Sequence, residues 1–192
     1  MNAQKTKEIV FDFRKSKASN IDPIQLNGVD IEMVEKDTYM YLGTVIDKKF
    51  SWTDQYKVTT GKAQQRMYFL RKMKSFHVDK TILNLFYVSI VESVILFNSI
   101  VWFAGCRKGD LTKLDKIAKQ AERVTGARRD LCEECIKRIT QKAKDILANG
   151  DHPLFSFYEF LRSGRRLRSL RCRTHRFKNT FLPYSIRAYN DM

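Results

Sequence analysis

Two short patterns in this chain place metal-ligating side chains at usable spacings. Cys132-Glu133-Glu134-Cys135 is a C-x-x-C, and Cys172-Arg173-Thr174-His175 is a C-x-x-H. Together they offer the donors of a Cys3His zinc site. The 36 residues between the pairs exceed the usual zinc-finger spacing, and no glycine or proline knuckle surrounds either one. Cys132 and Cys135 also fall in a stretch with helical period, where a spacing of three is simply one face. The expectation is no bound metal or cofactor, with buried or incidental thiols. A thioredoxin-like reading of the C-x-x-C lacks the strand that should precede it. His77, His152 and His175 are scattered, without a serine and aspartate in triad-like array. Neither a G-x-x-x-x-G-K-[ST] loop nor a G-x-G-x-x-G occurs.

Anion binding is the chemistry the composition favours. The 192 residues carry a formal net charge of +15 and a pI of about 9.8. Such a surplus repels itself unless an anionic partner neutralises it, and nucleic acid is the commonest. Residues 162–178 concentrate this charge, with seven arginines, one lysine and no acid. They read either as a solvated basic tail or as a phosphate-binding arm or helix. Guanidinium matches phosphate oxygens in paired geometry, which favours the second. Arg165, Arg166, Arg168 and Arg171 are the candidate contacts there.

The elements that must position these groups change character along the chain. An apolar fraction of 43% suffices for a core. Residues 7–13 (KEIVFDF) alternate with period two, as a strand does. Asn27-Gly28, between Ile24-Gln25-Leu26 and Val29-Asp30-Ile31, is a tight-hairpin signal. Residues 38–46 (TYMYLGTVI) read as one further strand. Beyond Trp52 the period becomes helical. Asp54 can cap a helix to about Lys74, and Asp79 can cap a long apolar one. Gly109-Asp110 opens a helix ending at Gly126, another spans about 131–147, and a short one covers 154–161. The sum is an α+β chain, mainly α: a small antiparallel sheet, a helical bundle and a basic C-terminal arm.

Residues 82–104 (ILNLFYVSIVESVILFNSIVWFA) hold a single charge, Glu92. The length suits a membrane span, but a mid-span carboxylate costs roughly 2.5–3.5 kcal/mol on insertion scales. A helix buried on most sides of a folded domain accounts for the run as well. Met1 opens a polar stretch without a secretory pattern, so the expectation is an intracellular protein of nucleus or cytoplasm with reduced thiols.

Ordered motifs then carry a family likeness. Asn2-Ala3-Gln4-Lys5-Thr6-Lys7-Glu8 with Phe11-Asp12-Phe13-Arg14 resembles the N-x-x-K-T-K-E … d-F-R stretch of LINE-type (non-LTR) retrotransposon reverse transcriptases, in their motif D. Tyr41-Leu42-Gly43 and Phe50-Ser51-Trp52 are similar to the Y-L-G … l-S-W of the primer-grip region. Residues 63–71 (AQQRMYFLR) resemble the A-x-x-R-l-x-f-L-R thumb helix. Phe86-Tyr87, Val101-Trp102 and Gly105 resemble F-Y … v-W-x-G, and Ser163-Gly164-Arg165-Arg166 and residues 177–183 (FKNTFLP) the close of such reading frames.

The resemblance implies the end of a palm and a thumb: residues 1–52 as palm-end and primer-grip β region, 53–126 as thumb-like helices, 127–161 as further helices, and 162–192 as the basic arm. It implies sequence-independent contact of Lys62, Arg66, Arg71, Lys72 and Lys74 with RNA and DNA backbones. It implies a primer-end turn at Tyr41, Leu42 and Gly43, with Tyr41 and Leu42 also read as core strand. Lys5 matches the motif D lysine, a general acid only in a complete enzyme. Polymerases of this kind hold two Mg²⁺ ions on palm aspartates, and no Y-x-D-D occurs here. The expectation is a truncated reading frame that is not an enzyme by itself.

A second likeness runs from Lys5 through the first thumb helix, to the amino-terminal segment of the AlkB-homologue tRNA-modifying dioxygenase–methyltransferase. An Fe(II)/2-oxoglutarate site needs a His-x-Asp pair, which is absent, as is a methyltransferase glycine-rich loop. The alternative from another class is a basic helical interaction or membrane-associated protein using residues 82–104.

Overall fold

The structure is a computed structural model, described over residues 5–13, 21–34 and 37–192. The polar loop through Ser16 and Asn20, and residues Asn2, Ala3, Gln4 and Arg14 of the motif D likeness, lie outside the described residues. The chain forms two compact units, Met1–Gln55 and Tyr56–Met192. The expected α+β class, mainly α, is what the fold shows: three two-stranded sheets, then helices.

In the first unit, strand β1 is only Lys7–Glu8, and it pairs in parallel with β4 (Glu32–Met33). This corrects the longer strand over 7–13 and the wholly antiparallel sheet. Past Glu8 the chain leaves the sheet and Phe11 stacks on Phe50, ring centroids 4.4 Å apart. The Asn27-Gly28 hairpin is as expected: β2 (Gln25–Leu26) and β3 (Val29–Asp30) flank a turn with φ of 54° and 77°.

Residues 38–46 are two strands rather than one. β5 (Thr38–Tyr41) and β6 (Thr44–Asp47) are antiparallel partners around Leu42-Gly43. Both turn residues have positive φ, 46° and 78°, the geometry of a two-residue turn whose twist matches its strands. Tyr41 and Leu42 therefore sit at an exposed tip and not in a core strand, with Leu42 75% exposed.

Asp47, at the end of β6, organises the passage into the first helix. Its carboxylate accepts from the backbone N–H of Lys49 (2.8 Å), Ser51 (3.0 Å) and Trp52 (3.1 Å), and from Ser51 Oγ (2.8 Å). Phe50 and Trp52 meanwhile adopt left-handed φ of 50° and 60°. Burial alone would raise the Asp47 carboxyl, but these donors outweigh it and hold it below the usual carboxylate range. Buried Gln55 then receives the Val45 N–H at 2.7 Å.

Helix α1 (Thr53–Ser75) starts a residue before Asp54, which lies in its first turn instead of capping it. The expected stripe is right: Ala63, Met67 and Leu70 have no exposed surface. Asp79 caps α2 (Lys80–Phe86) through Oδ1 and the Thr81 N–H, 2.7 Å. The apolar segment is not one continuous α-helix. It continues as a π-helix (Tyr87–Glu92) and α3 (Ser93–Leu96), breaks at Phe97 and left-handed Asn98, and resumes as α4 (Ser99–Trp102) and a 3-10 turn (Phe103–Gly105). Among the described residues no single helix is long and apolar enough to cross a membrane; Lys80–Leu96 with Ser99–Gly105 forms a pair bent by 41°.

Glu92 accounts for much of this irregularity. It is 2% exposed, yet a lone carboxylate in a dry core is prohibitive. Arg129 supplies the partner: its Nη2 donates to Glu92 Oε1 at 2.9 Å, and its Nε lies 2.6 Å from Oε2. The Glu92 carboxylate holds the Arg129 guanidinium above its usual pKa. Carbonyls loosened by the irregular helix find side-chain donors. Arg66 Nη1 bonds the Ile90 carbonyl at 2.5 Å, and the indole N–H of buried Trp102 bonds that of Phe97 at 3.1 Å.

Helix α5 (Lys108–Thr125) ends on Gly126, φ 78°, as expected. Helix α6 (Leu131–Leu147), capped by Asp130, is the hub: Leu131, Cys135, Ile139, Ala143 and Ile146 are buried, and α3, α4, α5 and α8 pack on it. The short helix expected over 154–161 is a single 3-10 turn (Phe155–Phe157) followed by a hairpin-like return. Helices α7 (His175–Lys178) and α8 (Phe181–Asn190) close the chain.

Arg129→Met should destabilise the second unit by roughly 3 kcal/mol, the lower end for breaking a buried pair because Arg129 is partly exposed. Glu92→Leu combined with Arg129→Met should recover most of that loss. Urea unfolding followed by circular dichroism measures both, and equal midpoints for Arg129→Met and wild type would refute the role of the pair.

Candidate nucleic-acid interface

The sequence-derived contacts fall on two surfaces of the second unit. The first is helix α1. From residue 55 to 78 the chain has six lysines and arginines and no carboxylate. Lys62, Arg71 and Lys72 are exposed. Arg66 is only half-exposed and its guanidinium is held on the Ile90 carbonyl, so it braces two helices instead of facing a ligand freely. Lys74 likewise bonds the Arg123 carbonyl at 2.7 Å. The side of α1 away from the core also carries aromatics that sequence patterning passed over: Tyr68, Phe69 and, just past the helix, Phe76 are more than half exposed. They were hidden because an apolar residue in an amphipathic helix is assigned to the core by default.

The second surface is the arginine segment, which is neither a loose tail nor a helix over its first half. Phe160 and Leu167 form an antiparallel bridge, Leu161 N–H bonds the Arg166 carbonyl (2.8 Å), and Gly164 turns the chain with φ 67°. Leu167 is buried with Ala143, Ile146, Tyr158 and Ile186. Asn190 of α8 clamps it from both sides: Leu167 N–H donates to Asn190 Oδ1 (2.8 Å), and Asn190 Nδ2 donates to the Leu167 carbonyl (2.9 Å). The apolar residues that interrupt the basic run anchor it, and Arg165, Arg166, Arg168 and Arg171 are left exposed around that anchor. Arg168 also meets Glu159 at 3.3 Å, an exposed pair that contributes little. The arm expected over 162–192 is thus, from Leu167 to α8, part of the packed unit.

Of the remaining candidates, Lys5 is exposed, as is the Tyr41-Leu42-Gly43 tip, all in the first unit. The cysteines do not assemble a site: among the described residues no three of His, Cys, Asp and Glu stand where they could hold a metal ion. Burial pushes the Cys106 and Cys135 thiols up to about 12, and raises Cys132 as well. Thiols so raised stay protonated near neutrality, the wrong form for a ligand or nucleophile. An open groove of about 430 Å³ lies between the helix break at Phe97 and Asn98 and the Arg138–Lys142 side of α6. Its rim mixes signs, with Gln141 Nε2 bonded to Asp145 Oδ1 at 2.9 Å, and it assembles no acid–base or nucleophile pair.

Residues 52–93 match a family model described as the N-terminal part of alkylated DNA repair protein alkB homolog 8. The matched stretch is α1, α2 and the π-helix with Glu92, less than a quarter of the chain. This supports the AlkB-homologue likeness over the helices, though not back to Lys5. No curated protein and no solved structure matches the chain.

Asn190→Ala should free the hairpin without unfolding the unit. Amide hydrogen exchange at Leu161, Leu167 and Arg168 should speed up by about tenfold, the effect of losing a bond worth roughly 1 kcal/mol or more. Unchanged protection at Leu167 would show that the clamp contributes nothing.

Proposed function

We propose that this chain is a sequence-independent nucleic-acid-binding protein derived from a LINE-type reverse transcriptase, and that it does not polymerise by itself. The observation that carries the binding half is the arginine hairpin. Its backbone is pinned by Leu167 and Asn190 while Arg165, Arg166, Arg168 and Arg171 project around it. Pre-ordered guanidinium groups lose less freedom on meeting phosphate than a loose tail would. The acid-free α1 offers a second cationic surface through Lys62, Arg71 and Lys72. RNA and DNA backbones are the partners this charge fits.

The origin rests on the order of the motifs. Several of the likened residues have identifiable work in this fold. Ser51 and Trp52 are the amides that Asp47 gathers, Ala63 and Leu70 are core, Arg66 and Trp102 satisfy the loosened carbonyls, and Leu42-Gly43 is an exposed turn. A primer-end turn needs such a projecting tip, and the Tyr41-Leu42-Gly43 geometry is compatible with that role. The chain holds no Y-x-D-D and no His-x-Asp, so neither polymerase nor dioxygenase chemistry is assigned to it.

Replacing Arg165, Arg166, Arg168 and Arg171 with glutamine should weaken binding about equally on all sequences. The slope of log affinity against log salt on duplex DNA should become shallower by up to about 4 units. A quadruple variant with unchanged affinity and slope would remove the hairpin from the interface. Primer extension on a poly-A template with Mg²⁺ or Mn²⁺ should stay at background, and extension that persists through repurification would overturn the non-enzymatic half.

A further inference from the structure

Helix α1 joins two properties that a duplex-backbone contact does not require together. Its residues from Lys57 to Lys74 include six cations and no acid. Its outward side also exposes rings: Tyr68 is 52% exposed, Phe69 57%, and Phe76, just past the helix end, 77%. Tyr68 and Phe69 stand edge to face, centroids 5.6 Å apart, and the Lys72 ammonium lies 5.9 Å from the Tyr68 centroid. Eight residues separate Tyr68 from Phe76, about 12 Å along a helix axis.

Exposed rings in water are unfavourable unless something apolar and flat meets them. The occupant must also be anionic, because Lys62, Arg71 and Lys72 stand among the rings and no carboxylate accompanies them. A duplex presents phosphates but hides its base faces in the stack. A single strand presents both, with each base offering a π-face and each linkage a charge. We propose that the outward side of α1 is a stacking platform for single-stranded nucleic acid, in which Tyr68 and Phe69 take bases and Lys62, Arg71 and Lys72 take the flanking phosphates. The platform rests on the nucleic-acid reading above and assigns it a strand state. It is distinct from the arginine hairpin, whose exposed groups are guanidiniums.

The experiment uses the full chain, labelled oligo(dT) and a duplex of equal length, with anisotropy read over a salt series. Tyr68→Ala with Phe69→Ala should lower oligo(dT) affinity about tenfold or more, since stacking on one ring is worth roughly 5- to 150-fold. Duplex affinity should fall less than about twofold, and both salt slopes should be unchanged because no cation is removed. Both rings are exposed, so the thermal midpoint should hold. In a separate variant, Tyr68→Trp adds an exposed indole to the buried Trp52 and Trp102, and oligo(dT) should quench it. Equal losses on both probes, no loss on oligo(dT), or an unquenched indole would overturn the platform while leaving duplex binding intact. A wild-type chain that binds neither probe would instead overturn the nucleic-acid reading itself, and the platform with it.

Discussion

A carboxylate cannot be left alone in a dry interior, and the second unit is arranged around that constraint. Glu92 lies in the middle of the most apolar stretch of the chain and is 2% exposed. Arg129, in the connection between α5 and α6, reaches it. The pair therefore ties residues 80–105 to the start of α6, and α6 in turn receives α3, α4, α5 and α8. Without the pair, the cost of a buried charge would set the apolar segment against the very core it fills.

The same economy appears wherever the backbone leaves regular structure. A π-helix and a helix break release carbonyls, and Arg66 and Trp102 take two of them. Asp47 gathers three amides and a hydroxyl so that Phe50 and Trp52 can adopt left-handed backbone. Asn190 does for the arginine hairpin what a neighbouring strand would do in a sheet. Each device is one polar side chain answering several backbone groups, so the positively charged surface stands on a frame whose own polar groups are mostly answered.

Signals local in sequence were legible, and those depending on distant partners were not. Asn27-Gly28, Asp79, Gly126 and the stripe from Leu131 to Ile146 announce themselves through turn chemistry, capping and period. Leu42-Gly43 did not, because Tyr-Leu-Gly-Thr reads as β-prone residues, and only the positive φ of Leu42 reveals the turn. The partner of Glu92 is 37 residues away, and that of Leu167 is 23. No periodicity encodes such distances. For the candidate interface, charge was visible in composition. The pinned hairpin and the exposed rings were not, since sequence assigns Leu167 and Tyr68 alike to "apolar" while the fold buries one and displays the other.

The π-helix at Tyr87–Glu92 has a meaning in the arithmetic of chain length. A π-turn is an α-helix with one residue too many, absorbed locally. Removing a single residue between Tyr87 and Val91 would let the helix run straight, and everything after the deletion would rotate by about 100° relative to what precedes it. Glu92 would then face away from Arg129, and the Trp102 side of the segment would lose its place on the core. The surplus residue thus acts as a phase marker. In this segment, insertions and deletions would be far more damaging than substitutions of equal chemical size.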